Sequence, residues 1–474
     1  MPPVDVDEGT RAMPNRTAPP SPPEASAERL QLAELLSALS YALDITEGQP
    51  AGHCVRACWI GMRIGRRIGL PDDALWELYY ALLLKDLGCS SNAARICELY
   101  LTDDLSFKRD FKFVNRSLPQ VLGFVFAHTG VQSGLGARLR AVANIMRNGG
   151  DIAQELIETR CHRGADIARR LRFSEAVAQG IQHLDEHWDG RGRPTGAAGE
   201  AIPVYARIAL LAQVIDVFQT AGGAAAARRE AKARRGTWFD PALVDAFLGI
   251  AGEPDFWTGL ADPDLRTRIY DLEPAQHRVA VDEDYLDDIA AAFGHVVDAK
   301  SPYTSGHSER VAGYADRLGE AMGVGTERRR WLRRAALLHD VGKLGVSNAV
   351  LDKPARLDED EWAAVQAHAT HTEAILSRIS SFREMARVSA AHHERLDGAG
   401  YPHALSGGEI TLETRIITVA DFFDALTAER PYRGALPVTE ALDIMRKTVG
   451  GALDPDVFAA LETMVGAEPA AQAA

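Results

Sequence analysis

The chain has 474 residues, 46 % apolar, 25 % charged and 7 % aromatic, an ordinary globular composition with room for two or three domains. Asp and Glu number 66 against 52 Lys and Arg, a formal net charge of −14. That balance excludes a generic nucleic-acid or anionic-membrane binder, but not a small anionic ligand held by a local cluster of cations.

Residues 1–27 are rich in Pro, Ala and Ser without periodicity, and are expected to be a disordered tail. They hold no basic region followed by an apolar block, so no secretory signal is expected. Beyond them the pattern is helical almost throughout. Runs such as LQLAELLSALSYAL and EAVAQGIQHL space apolar residues by three and four, and Gly and Pro cluster between the runs. Strand-like alternation is scarce, so the expected fold class is all-α. No uninterrupted apolar stretch approaches the roughly 20 residues of a membrane span. The five cysteines, Cys54, Cys58, Cys89, Cys97 and Cys161, make no disulfide framework and read as reduced thiols of a cytoplasmic protein. Cys54 and Cys58, four apart, read as small buried hydrophobes or as a metal or redox pair.

The chain repeats itself. AGHCVRACWIGMRIGRRIGLP aligns with SGHSERVAGYADRLGEAMGVG, so that His53 meets His307 at an offset of 254. Asp86 meets Asp340, and Asp44 meets Asp298, at the same offset. DEHWDGRGRP aligns with HHERLDGAGYP at an offset of 208, Asp189 meeting Asp397. The difference places 46 extra residues within about 90–160 of the first copy. The expected organisation is two tandem helical bundles, 30–255 and 285–465, joined by a linker at 256–284 and followed by a flexible tail at 466–474. The basic run RREAKARR (228–235) reads as a solvated segment of the first copy.

Candidate metal ligands concentrate in the second copy: His307, His339, Asp340, His368, His392, His393 and Asp421. Imidazoles and carboxylates on separate helical segments can converge in a bundle core. Mixed His and Asp ligands suit Fe, Mn or Zn better than Ca or Mg. Two such ions about 3.5–4 Å apart favour phosphoester hydrolysis, lowering the pKa of a shared water and polarising the phosphoryl oxygen. Lys343, three residues after Asp340, can face the same centre.

HDVGK, HHERLDGAGYP and ADFFDALTAERPYR, with YTSGHSERV upstream, closely resemble the HD-GYP domain, a branch of the HD phosphohydrolase superfamily. The resemblance covers about 285–465. It implies an all-helical HD domain with a bi- or trinuclear centre, commonly Fe or Mn, that hydrolyses cyclic di-GMP to pGpG or on to GMP. By the same resemblance the seven residues above are the ligands, with Asp340 bridging. Lys343 then contacts the scissile phosphate or assists the leaving group, and Arg430 and Arg433 hold phosphate oxygens. Asp424 is read as structural or as a partner that orients a ligand. The LDGAGYP loop (396–402) reads either as a structural loop near the site or as a surface for partners such as diguanylate cyclase domains. Three positions depart from the family pattern: Ala369, Thr372 and Tyr303. The last stands where some members have a third-metal Glu, so two ions are expected.

The alignment also predicts that the first copy is inert. Lys85 stands at the position of His339, Arg160 at His368, Leu184 and Asp185 at His392 and His393, and Gln213 at Asp421. Only His53 and Asp86 of the set remain. This degenerate copy is expected to serve regulation, ligand sensing or dimerisation, or to be a scaffold. The leading expectation is a metal-dependent cyclic di-GMP phosphodiesterase. The alternatives are a phosphodiesterase for another cyclic dinucleotide such as cyclic GMP-AMP, or a non-catalytic cyclic-dinucleotide signalling adaptor.

Overall fold

The computed structural model describes residues 30–114, 117–131, 133–274, 279–429 and 433–471. The expected tail at 1–27 and Arg430 lie outside these residues. Among the described residues there is no strand, only isolated bridges, and the all-α expectation holds.

The first copy begins with α1 (Leu32–Thr46), α2 (His53–Arg67) and α3 (Asp72–Leu83). The segment that contains its insertion holds α4 (Ala93–Tyr100), α5 (Asp104–Phe111), α6 (Leu118–His128) and the first half of the long α7 (Leu135–Arg170). The insertion closes small apolar clusters of its own, among them Ile96, Phe107 and Phe124. α8 (Glu175–Gln182), α9 (Val204–Ala233) and α10 (Pro241–Ile250) complete the copy. α9 is long and apolar enough to cross a membrane, a stretch the sequence reading passed over. Its most apolar window is 56 % buried in the protein. The helix is also broken at Gly222 and Gly223, where φ turns to +72°.

The described part of the stretch expected as a linker holds two helices. α11 (Pro254–Leu260) and α12 (Leu265–Tyr270) pack on α2. Phe256 and Leu260, and Leu265 and Ile269, fall one turn apart and bury together. The basic run of α9 is likewise not simply solvated: Arg234 is buried, its guanidinium 3.9 Å above the Trp238 ring.

The second copy runs through α13 (Glu283–Asp298), α14 (His307–Ala321), α15 (Thr326–Leu338), α16 (Asn348–Leu351), α17 (Glu359–Leu376) and α18 (Arg383–Ala390). It ends with α19 (Leu412–Thr427), α20 (Val438–Arg446) and α21 (Pro455–Ala471). α21 carries helix through most of the expected flexible tail.

One apolar core extends through both copies, from Leu32 to Val465. The reason lies in α1, which is buried on nearly every face. It packs on α2 of its own copy, and on α17 and the 3-10 turn Val341–Gly345 of the other. α13, its counterpart, reciprocally touches α7 and the 3-10 turn Cys89–Asn92. The copies thus clasp each other through their first helices.

Candidate metal centre

Five segments of the second copy deliver the candidate ligands to one place. Gly306, at φ +69°, turns the chain so that α14 starts on His307 itself, a backbone state that suits glycine. α15 ends at Leu338, leaving His339 and Asp340 at its C-terminal edge before the turn Val341–Gly345. α17 brings His368, the 3-10 turn Ala391–His393 brings His392 and His393, and α19 brings Asp421 and Asp424. Gly342 lets the Asp340 turn lie against α17: a Cβ there would stand 1.9 Å from the His368 carbonyl oxygen. Thr372, one of the departures from the family pattern, ties the same contact. Its hydroxyl donates to the His339 carbonyl and accepts from the Gly342 N–H, each at 3.0 Å.

Asp340 sits at the middle. Its Oδ2 lies 3.3 Å from His307 Nε2 and 3.2 Å from His339 Nε2. Its Oδ1 lies 3.5 Å from His368 Nε2 and 3.7 Å from His392 Nε2. Each carboxylate oxygen therefore faces its own pair of imidazoles. Asp421 Oδ1 joins the first pair, 3.4 Å from His307 Nε2. His393 joins the second, its ring centroid 4.0 Å from that of His392.

The tautomers are set by the backbone. Nδ1 of His339, His368 and His392 each donates to the carbonyl three residues earlier, Ala336, Val365 and Ser389, at 2.6, 2.5 and 2.6 Å. A carbonyl can only accept, so each Nε2 presents a lone pair inward. His307 is set differently: its Nδ1 donates to Asp424 Oδ2 at 2.7 Å, and Arg310 grips the other oxygen of Asp424 at 2.6 Å.

Burial holds His368 down to about 3 and His393 to about 4, so both are neutral near pH 7. Burial pushes Asp340 and Asp421 upward, but the surrounding imidazoles, and Lys343 beside Asp340, outweigh it and hold both well below the usual range. Burial also opposes charge on His307, yet Asp340, Asp421 and Asp424 prevail and raise it well above its ordinary value. The field here favours positive charge. His307 Nε2, His339 Nε2 and Asp340 Oδ1 are buried without a hydrogen-bond partner. Unpartnered ring nitrogens and a carboxylate oxygen converge here, and a cation can take the place of the proton that His307 holds, so the donor set fits a divalent transition metal. Three groups bring their ligand atoms within 4.8 Å of one another: His307, His339 and Asp421; His339, Asp340 and His392; His368, His392 and His393.

The HD domain family matches the chain at residues 123–243 and 293–457. The chain is 56 % identical over 438 residues to the 3′3′-cGAMP-specific phosphodiesterase 3 of Vibrio cholerae, covering 92 % of this chain and 95 % of that protein. It resembles the crystal structure of a cyclic GMP-AMP specific phosphodiesterase of V. cholerae with a TM-score of 0.64 at 51 % identity, over 92 % of this chain and 98 % of that one. The cyclic di-GMP phosphodiesterase of Thermotoga maritima is 33 % identical over 199 residues, 41 % of this chain and 54 % of that protein.

This chain belongs to the HD-domain family, in its HD-GYP branch of cyclic-dinucleotide phosphodiesterases.

The HD-GYP loop contributes a residue that the sequence reading left aside. The Tyr401 ring lies 4.8 Å from that of His393 and 6.3 Å from that of His368. Its place in the motif, four residues after Asp397, was the available signal. Glu394 anchors the loop, accepting the N–H groups of His403 and Leu405 at 2.6 and 2.9 Å. Lys343 lies with its ammonium on Asp340 Oδ2, and it does so from a 3-10 turn rather than a continued helix. Arg433 is placed otherwise. Its guanidinium donates to the carbonyls of Ala425 and Leu426, both at 2.8 Å, and so caps the end of α19 instead of facing the ligands.

The first copy of the HD fold keeps the frame and loses the donors. His53 Nδ1 meets Asp216 Oδ2 at 2.7 Å and Arg56 meets Asp216 Oδ1 at 2.6 Å, the same arrangement as His307, Asp424 and Arg310. Gly88 crosses Arg160 as Gly342 crosses His368. At the centre, however, Lys85 Nζ lies 3.0 Å from His53 Nε2 and against Asp86. Arg160 pairs with Asp185, and Lys112 from the insertion pairs with Glu47 at 2.8 Å. Glu47, Asp86 and Cys89 come within ligand distance of one another. Burial keeps the Cys89 thiol protonated, and the neighbouring ammonium groups neutralise the two carboxylates, which disfavours a bound cation. All five cysteines are free.

Proposed function

We propose that the chain hydrolyses 3′3′-cyclic GMP-AMP, opening the ring to a linear dinucleotide. The observation that carries this is the extent of the match: the relative specific for 3′3′-cGAMP aligns through both copies, whereas the T. maritima cyclic di-GMP phosphodiesterase aligns with about two-fifths of the chain. Cyclic di-GMP, the leading expectation from sequence, is the less supported substrate. It followed from motifs that describe the metal ligands and phosphate contacts, which carry no information about the bases.

On this reading His307, His339, Asp340 and Asp421 would hold one ion, and His368, His392, His393 and Asp340 would hold a second, with iron or manganese suited to the donors. The ions would supply an activated water and Lewis-acid polarisation of the phosphoryl oxygen. Asp340 keeps the two halves in register through its two oxygens. Lys343, beside Asp340 and partly exposed, presents its ammonium to a phosphate oxygen and stabilises the charge that develops there. Arg433, which caps the end of α19, would need to turn toward the substrate to share that task. The N-terminal copy is a scaffold with no metal of its own.

The test is a comparison of kcat/KM for 3′3′-cGAMP, cyclic di-GMP and cyclic di-AMP, using purified full-length protein reconstituted with Mn(II) or Fe(II). A preference for 3′3′-cGAMP of tenfold or more supports the assignment. Equal or better turnover of cyclic di-GMP overturns it.

A further inference from the structure

The 46-residue insertion has no counterpart in the second copy, yet it places one carboxylate against that copy's metal loop. Asp104, the first residue of α5, is fully buried. Its Oδ1 accepts the backbone N–H of Asn348 at 2.9 Å and the hydroxyl of Ser347 at 3.0 Å. Its Oδ2 faces Lys300 Nζ at 3.4 Å and Lys108 Nζ at 3.7 Å.

Ser347 and Asn348 follow, after Val346, the turn Val341–Gly345, which carries Lys343 and continues from Asp340. They also open α16. Asp104 therefore fixes the exit of the metal loop at its helix N-terminus, where N–H groups otherwise lack partners. The loop is locked from its own side as well: Asn348 Nδ2 donates to the carbonyl of Lys300 and to Asp352, both at 2.7 Å.

Lys108 links this point to the first copy's own centre. Its ammonium donates to the carbonyls of Cys89 and Thr46, at 3.0 and 3.1 Å. Thr46 ends α1, the helix that packs on the turn Val341–Gly345. A Cβ at Gly345 would lie 2.9 Å from the Ile45 side chain, so the contact has no slack. Three buried charges, Asp104, Lys108 and Lys300, thus connect the inert copy to the loop bearing Asp340 and Lys343. A buried charge network of this kind is sensitive to the loss of any member.

We propose that Asp104 is a positioning residue for the hydrolytic reaction: through Ser347 and Asn348 it holds the Asp340–Lys343 loop in register, and the insertion exists in the first copy to supply it. The N-terminal copy is on this account an obligate part of the catalytic unit. This rests on the phosphodiesterase reading above.

The experiment uses full-length protein carrying Asp104→Ala, Ser347→Ala, Lys343→Met and the pairwise combinations with Lys343→Met. Asp104→Ala is expected to lower kcat at least tenfold while KM for 3′3′-cGAMP stays within threefold and the metal content is unchanged. In the Lys343→Met background, Asp104→Ala should add less than a twofold further loss, because both changes act through the same ammonium. Ser347→Ala removes a single hydroxyl contact and should show the same dependence with a smaller loss. It keeps the idea testable if Asp104→Ala does not fold. A wild-type kcat in both variants, or losses that multiply fully with that of Lys343→Met, would overturn the proposal. Amide exchange over residues 341–352 gives a readout independent of substrate: Asp104→Ala should speed it, and unchanged protection would count against the proposal even if the substrate assignment failed.

Discussion

The ammonium of Lys85 lies 3.0 Å from Nε2 of His53, the ring nitrogen whose counterpart on His307 faces Asp340 and Asp421. An internal cation has replaced a ligand at the centre of the first copy and pairs with the carboxylate that survives there, Asp86. The pair is wholly buried, so its two charges depend on each other. Lys85→Met strands Asp86 in the core and is expected to cost about 3–5 kcal/mol, read as a lower urea midpoint. An unchanged midpoint would show that the pair is not what neutralises this site.

The pH dependence of stability follows from His53. Burial, with Lys85 beside it, lowers its pKa from 6.5 to about 4 in the folded chain. The unfolded chain then binds the extra proton between those values. This share of the stability is complete above pH 6.5 and is lost as pH falls toward 4, about 3 kcal/mol in all. The slope of unfolding free energy against pH over 4–6.5 should be shallower in His53→Gln than in the wild type. An identical slope would contradict the shift.

Asp424 touches no candidate metal site directly; it orients His307 and is itself clamped by Arg310. Removing its charge by Asp424→Asn is expected to weaken metal binding or turnover by about 10–100-fold while the fold persists. Metal titration monitored together with circular dichroism checks this. Full affinity in the variant would mean that His307 needs no such partner.

Lys343 is the cation that reaches the centre from the described residues. Lys343→Met should lower kcat by roughly 100-fold, the scale of losing one preorganised donor to a developing charge, and leave the bound metal in place. Elemental analysis alongside the rate separates this from loss of the ions. A variant that loses its metal would place Lys343 in structure rather than in chemistry.

Much of this architecture is legible in the sequence because the signals are local. His307, His339, Asp340, His368, His392, His393 and Asp421 stand in short motifs, and the offsets of 254 and 208 reveal the duplication. What stayed hidden depends on tertiary contacts. The helices of 254–270 look like a linker because each is too short to show a period, and Phe256, Leu260, Leu265 and Ile269 gain meaning only against α2. Arg433 carries a motif position, but its guanidinium meets the end of α19 first. The tautomers of His339, His368 and His392 rest on carbonyls three residues upstream, which spacing alone does not disclose. Asp104 lies in an insertion with no motif, and its partners in the second copy are more than 190 residues away.

The most direct test is chromatographic. Chelated full-length protein, with and without added Mn(II) or Fe(II), is incubated with 3′3′-cGAMP beside an Asp340→Asn variant treated identically. The account predicts a linear dinucleotide from the metal-loaded wild type only. Equal product from the chelated protein or from Asp340→Asn would contradict it.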